Sequence, residues 1–318
     1  MQVSDATRRP IEDPQLDGDD RLGIDVCICT YHRPELFDTL EAVATQEGRD
    51  KISIRVIVAD NAAEPDARAS ICAAGDRLGL NLIYVHAPAR NISIARNACL
   101  AATQSDWIAF VDDDEHPSPS WLKELLAEAR RGDWDAVLGP VKAVYPATAP
   151  YWLEAGDFHS TRPVWVRGHI ETGYTGNVLL RRALVQRAGL EFRLEFGRSG
   201  GEDLDFFYRL RDRGGRIGFA ANALVYDPIP ANRTSLAWLL RRKFRQGQSH
   251  GTRLLESTHH SLRAIVDLPV ALAKAVMLGL AAAACLPKAS SRNRCLTRAA
   301  LHCGVVARIA GLSEITLY

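Results

Sequence analysis

With 318 residues, 47% of them hydrophobic, the chain is long enough to bury a sizeable core and too apolar to be a disordered protein. Its 39 Lys and Arg against 38 Asp and Glu leave a formal charge of +1, so nothing in the overall balance points to nucleic acid or to an acidic partner. Seven cysteines form no CxxC pair and most sit inside apolar runs, which argues against a zinc or disulfide framework and for a reduced, cytoplasmic compartment.

Residues 1–20 are mostly acidic and lack an apolar signal-peptide core, so a flexible lead-in over 1–22 is expected. An α/β domain is predicted over 23–235. Within it, apolar runs at 24–30, 52–60, 80–86 and 106–114 read as strands, and 34–46, 64–79 and 91–104 have helical spacing, with Pro34 and Pro65 suited to first turns. Strands alternating with helices in this way imply a parallel sheet covered by helices, with ligands held beyond the carboxyl ends of the strands. Thr30, Tyr31, Asp60 and Asp112 to Asp114 fall at those ends.

A helix at 119–132 and a short strand at 135–141 follow. Residues 145–176, with four aromatic residues in "YPATAPYW" and "VWV" and several Gly and Pro, read as a long surface segment or lid. A strand at 175–182 and a helix at 201–215, acidic in its first turn and stopped by glycine, complete this part of the chain.

A helical region is predicted over 236–318, and it begins basic: seven Lys or Arg and one acid lie between Arg233 and Arg263. The stretches 262–287 and 296–312 are apolar, but Asp267, Pro269 and Lys274 interrupt the first and leave twelve uninterrupted apolar or glycine residues before Pro287. That is short of the ~20 residues a spanning helix needs. Two readings stay open, helices buried against the core or segments lying on anionic lipid, and the expected location is cytoplasmic and peripheral to the inner membrane.

"FVDDDEHP", residues 110–117, places four acids directly after an apolar run. Aspartates at i and i+2 past a strand suit a hard divalent cation, Mg²⁺ or Mn²⁺, which offsets their repulsion and shares its shell with substrate phosphates. The plain alternative is that such acids merely open the next helix. The motif has companions: "CTYHRPELFDTL" (29–40), "VADNAAE" (58–64), "RNISIARNACL" (90–100), "TGNVLLRR" (175–182) and "GEDLDFFYRL" (201–210). Taken in order, this set resembles the family 2 inverting glycosyltransferases of GT-A fold, and within them the bacterial exopolysaccharide branch of succinoglycan type.

The resemblance implies a Rossmann-like mixed sheet flanked by helices, a UDP-sugar as co-substrate and a lipid-linked saccharide acceptor, and the basic, apolar C-terminal region is the part expected to meet a membrane surface. It assigns Thr30, Tyr31, Arg33, Asp60 and Arg96 to the nucleotide, with Asn91 capping its helix. Asp112 would contact the nucleoside and share the metal with Asp114, while Asp113 points away from its neighbours if the strand persists. Asp203 would be the general base, and Glu202 would bind or orient acceptor. Gly176 and Asn177 would line the sugar pocket, and Arg242 or Arg245 would close on the diphosphate. Ser93 stands where the family often has glycine. Two other classes stay open: a sugar-nucleotide pyrophosphorylase, although "CTYHRPE" lacks the Gly-rich loop it needs, and a catalytically silent glycan-binding protein.

Overall fold

The computed structural model describes residues 21–198, 200–256 and 260–315, so the expected lead-in at 1–22 lies almost wholly outside the described residues. The first half alternates strictly: β1 (Leu22–Thr30), α1 (Leu36–Ala44), β2 (Ile52–Asp60), α2 (Arg68–Arg77), β3 (Asn81–His86), α3 (Ile92–Ala102) and β4 (Trp107–Phe110). The second half is more broken: β5 (His116–Pro117), α4 (Trp121–Gly132), β6 (Ala136–Leu138), β7 (Val141–Val144), α5 (Tyr151–Gly156), β8 (Trp165–Val166), β9 (His169–Ile170), β10 (Val178–Arg181), α6 (Arg182–Arg187), α7 (Glu202–Asp212), β11 (Ile217–Phe219) and β12 (Val225–Pro228). Three long helices follow, α8 (Leu236–Glu256), α9 (His260–Ala284) and α10 (Ala289–Ile309).

The main sheet has the order β11-β6-β10-β4-β1-β2-β3. β4, β1, β2 and β3 run parallel, and β10 runs antiparallel to both of its neighbours, β4 and β6, so the sheet is mixed. Alternation along β1 sends Ile24, Val26 and Ile28 to one face, where they meet Leu36, Leu40, Ile71 and Trp121. Cys27 faces the other side with Ala95, Cys99, Phe206 and Phe207. Each such fully buried large side chain is worth roughly 1.5–3 kcal/mol over leaving it in water. Asp25, buried in β1, is neutralised by Arg55 at 2.8 Å and accepts the amides of Gln104 and Ser105, which fixes where β4 begins.

Register sets the site. Thr30 pairs with Asp60 across β1 and β2, and Phe110 pairs with Cys27, three residues short of Thr30. The strand expected over 106–114 stops at Phe110, so the aspartates lie in a turn at the level of Thr30. Thr39 of α1 holds that turn, its hydroxyl donating to the carbonyls of Asp113 (3.1 Å) and Glu115 (2.8 Å). The strand expected over 135–141 is likewise two strands, broken at Gly139 and Pro140: β6 stays in the main sheet and β7 joins β5 and β12 in a second, three-stranded one.

The segment 145–176 is more structured than a bare lid. It carries α5 and the β8–β9 hairpin and is pinned by His159, whose ring stacks on Trp238 of α8 at 5.4 Å. α8 and α10 pack closely through facing glycines: a Cβ on Gly247 would lie 1.9 Å from the Leu301 carbonyl, and one on Gly304 2.0 Å from that of Phe244. α9 lies on α10 and buries Ala271, Ala275 and Ala282. Among the described residues no helix is long and apolar enough to cross a membrane.

Candidate active site

The carboxyl ends of β1 and β2 open onto a cavity of about 200 Å³ lined by Thr30, His32, Arg33, Asp60, Ala62 and Ile71, among others. Asp60 is buried at its base. One of its oxygens accepts the Ala62 amide (3.0 Å) and the other accepts the Tyr84 hydroxyl (2.7 Å), so its carboxylate is held rigid before any ligand arrives. Tyr31 is exposed on the rim, with the Arg90 guanidinium 5.6 Å from its ring centre. His32 adopts φ 51°, the left-handed turn that swings the chain from β1 toward α1.

The DDD turn forms the next wall. Arg33 reaches Asp114 at 3.4 Å. Asp113 is buried and points back under β1, because with the strand ended it no longer follows strand alternation; loss of hydration raises its carboxyl to about 7, against the hydrogen bond from Thr30. Glu115 is buried as well and accepts the Asp112 amide at 3.2 Å. Desolvation, then the charges of Asp112 and Asp227, push it well above the usual carboxylate range.

α3 carries Arg96 into the middle of this wall. Asn91 caps the helix, accepting the amides of Ser93 (3.0 Å) and Ile94 (3.4 Å). Ser93 is fully buried and donates to the Arg193 carbonyl at 2.9 Å, which explains a hydroxyl where glycine is common. The Arg96 guanidinium is buried between two acids, hydrogen-bonded to Glu202 at the start of α7 and 3.7 Å from Asp112. Next along α7, Asp203 accepts the Leu204 amide at 2.7 Å through Oδ1. Burial and the neighbouring Glu202 raise Asp203 to about 7, against the opposing pull of Arg96. Glu202 Oε2 is buried without a hydrogen-bond partner.

Asn177 and Arg245 are engaged in holding the fold, and Gly176 lies beside the acidic turn. Asn177 does not line a sugar pocket: fully buried, it accepts the Trp121 indole N–H (2.8 Å) and donates to the carbonyls of Ala223 (2.7 Å) and Pro140 (3.0 Å), tying α4, β10 and the β12 approach together. Every polar group it has is spent on the fold. Asn177→Leu is therefore expected to cost roughly 2–4 kcal/mol in urea unfolding, because three buried groups lose their partner. Gly176 lies against Glu115, where an added Cβ would come within 2.7 Å of the carboxylate. Arg245 binds Ser249, the Gly200 carbonyl and Glu314, locking α8 to the loop before α7, and the charge of Glu202 acts on it as well.

Arg242 stays with the crevice. It lies 5.2 Å from the Trp238 ring centre and its charge acts on Asp227. Asp227 itself escaped the sequence reading. Antiparallel pairing of Tyr226 with His116 brings it level with Glu115, and burial together with Asp114 raises it to about 6. The signal was a lone acid in the β-rich run "ALVYDP", and only the pairing of β12 with β5 gives it a neighbourhood.

Asp112, Asp114 and Asp227 carry hard carboxylate oxygens and lie near enough that the charge of Asp114 acts on the other two. Among the described residues no three acidic, His or Cys side chains converge closely enough to hold a cation unaided. Mg²⁺ or Mn²⁺ would need water and substrate phosphate to complete its shell here.

Comparison with known proteins gives the family and the fold. The family described as Glycosyl transferase family 2 matches residues 25–189. The succinoglycan biosynthesis protein ExoM of Rhizobium meliloti is 50% identical over 297 residues, 93% of this chain and 96% of that one. A glucosyl-dolichyl phosphate glucuronosyltransferase of Haloferax volcanii is 25% identical over 72% of this chain and 76% of its own length. Among solved structures, the mannosyltransferase PcManGT of Pyrobaculum calidifontis, in complex with GDP-Man and Mn²⁺, superposes with a TM-score of 0.61 at 18% identity, over 91% of this chain and 87% of that one. TarS 1-349 of S. aureus in complex with UDP-GlcNAc does so with a TM-score of 0.55 at 16% identity, over 92% and 93% of the two chains.

Proposed function

The chain belongs to glycosyl transferase family 2 and has the GT-A fold, and from that premise we propose that it moves a hexose, glucose being the expected sugar, from a UDP-sugar to a lipid-linked or polysaccharide acceptor, with inversion, in exopolysaccharide synthesis of the succinoglycan type. The observation that carries this reading is the buried Arg96 bridge. It links the Asp112 turn, where a diphosphate would be held, to the first turn of α7, which carries Glu202 and Asp203.

Thr30, Tyr31, Arg33 and the rigid Asp60 bind the nucleoside end. Asp112 and Asp114, with Asp227 at the edge, would hold the cation, which would neutralise charge on the departing diphosphate. Arg242 adds a second positive group on that side. Asp203 accepts the proton of the acceptor hydroxyl as that oxygen bonds to the anomeric carbon and the bond from carbon to diphosphate oxygen breaks. Glu202 positions Arg96 through one oxygen and leaves Oε2 to accept a sugar hydroxyl.

Thermal melting tests the donor half. With Mn²⁺ present, UDP and one UDP-sugar should raise the melting temperature more than GDP or ADP does; saturation at 100 times the dissociation constant stabilises by about 2.7 kcal/mol. No shift with any nucleotide would refute the reading.

A further inference from the structure

α9 is apolar on both sides. Its inner stripe, Ala271, Ala275 and Ala282, packs on α10. At about 100° per residue the opposite arc carries Val270, Leu272, Val276, Met277 and Leu280. These side chains are 44–66% exposed, and Leu286 just past the helix is 63% exposed. Contiguous large apolar side chains on an open face mark an interaction surface, whereas isolated ones need no explanation.

Past Asp267 the charges along this part of the sequence have one sign. Between residues 268 and 313 there is no acid, and there are six bases: Lys274, Lys288, Arg292, Arg294, Arg298 and Arg308. Lys274 and Lys288 are exposed and flank the apolar arc near its middle and beyond its C-terminal end. A second copy docking by the same face would set these cations against their own counterparts. An anionic bilayer supplies the opposite charge and an apolar layer together. α9 is the wrong kind of helix to span, by the hydropathy noted above, and the right kind to lie flat.

The helices beside α9 tie this region to the rest of the fold. Arg294 of α10 donates to the Gly156 carbonyl at the end of α5, and Arg245 of α8 holds the loop before α7. We propose that the outer face of α9, from Val270 to Leu286, lies in the headgroup region of an anionic membrane, with Lys274 and Lys288 on the lipid phosphates, and so holds the crevice beside the bilayer. The surface itself is independent of the proposed transfer; its use in meeting a lipid-linked acceptor rests on that reading.

Flotation of the full chain decides it. The protein should float with mixed phosphatidylglycerol and phosphatidylcholine vesicles, less with phosphatidylcholine alone, and less at high salt. The double variant Met277→Asp with Leu280→Asp should lose binding on the order of tenfold or more, because two anchors leave the apolar layer. Both positions are exposed, so helicity by circular dichroism and melting in Mn²⁺ and UDP should not change. Wild-type protein that ignores anionic vesicles, or a variant that floats equally well, would overturn the proposal. A wild-type dimer that the double variant converts to monomer would also overturn it, making a second copy the occupant. UDP-dependent melting reports separately on the transfer reading, so either can fail alone.

Discussion

Asp203→Asn is expected to lower turnover by roughly 10²–10⁴-fold while Mn²⁺-dependent UDP binding is unchanged. The residue sits at the start of α7 with one oxygen committed to the Leu204 amide, and its carboxyl is raised to about 7 by burial and by Glu202. A base must be ionised, so the wild-type rate should climb as pH rises through about 7 and level off above it. In the Asn variant that limb should vanish. Stability should move the other way. A carboxyl raised in the fold above its ordinary 3.8 favours the protonated form, so above pH 7, where it is ionised in both states, its charge opposes folding. Removing it should leave the melting temperature equal or higher. Loss of UDP binding in this variant would move Asp203 to the nucleotide side.

Asp114→Ala is expected to remove the metal-dependent part of UDP binding, a loss on the order of 100-fold or more in affinity with Mn²⁺ present. The residual, chelator-insensitive binding should persist, since the nucleoside cavity around Asp60 is built from β1, β2 and α2 and does not include Asp114. Arg33, 3.4 Å from Asp114, loses its ion pair in the variant and becomes available to the diphosphate, which makes that residual binding more salt-sensitive. Isothermal titration with and without chelator separates the two parts. Binding that stays fully metal-dependent would assign the cation to Asp112 and Asp227 alone.

The alternating first half was legible because the periods are clean: β1 to β3 and the helices between them bury one pattern per face, and their ends followed from it within a few residues. The turn at Asp112 was harder. "WIAFVDDD" reads as a continuing strand, and only the Thr39 hydroxyl and the loss of pairing after Phe110 end it, which is why Asp113 lies buried under Thr30. Asn177 misled for a similar reason: an Asn beside a Gly at a strand start looks like a ligand contact, while its partners Trp121, Pro140 and Ala223 lie 37 to 56 residues away in sequence. Asp227 was illegible, since its place in the site depends on a strand of two residues pairing with one of four.

The C-terminal helices differ among themselves. α8 and α10 close on each other through Gly247 and Gly304 as core helices do, while α9 keeps an open apolar face. Local sequence could not separate these cases, because a helix that is apolar all round suits either a core or a membrane.

Product stereochemistry tests the central claim most directly. The protein, Mn²⁺, the UDP-hexose that raises its melting temperature and a lipid-linked saccharide acceptor are incubated together, and UDP release is followed alongside the anomeric configuration of the new linkage by NMR. From an α-configured donor, release of UDP with a β-linked product is expected, with both lost in Asp203→Asn. An α-linked product, or no UDP from any donor in the presence of acceptor, would contradict an inverting transfer across the Arg96-bridged crevice.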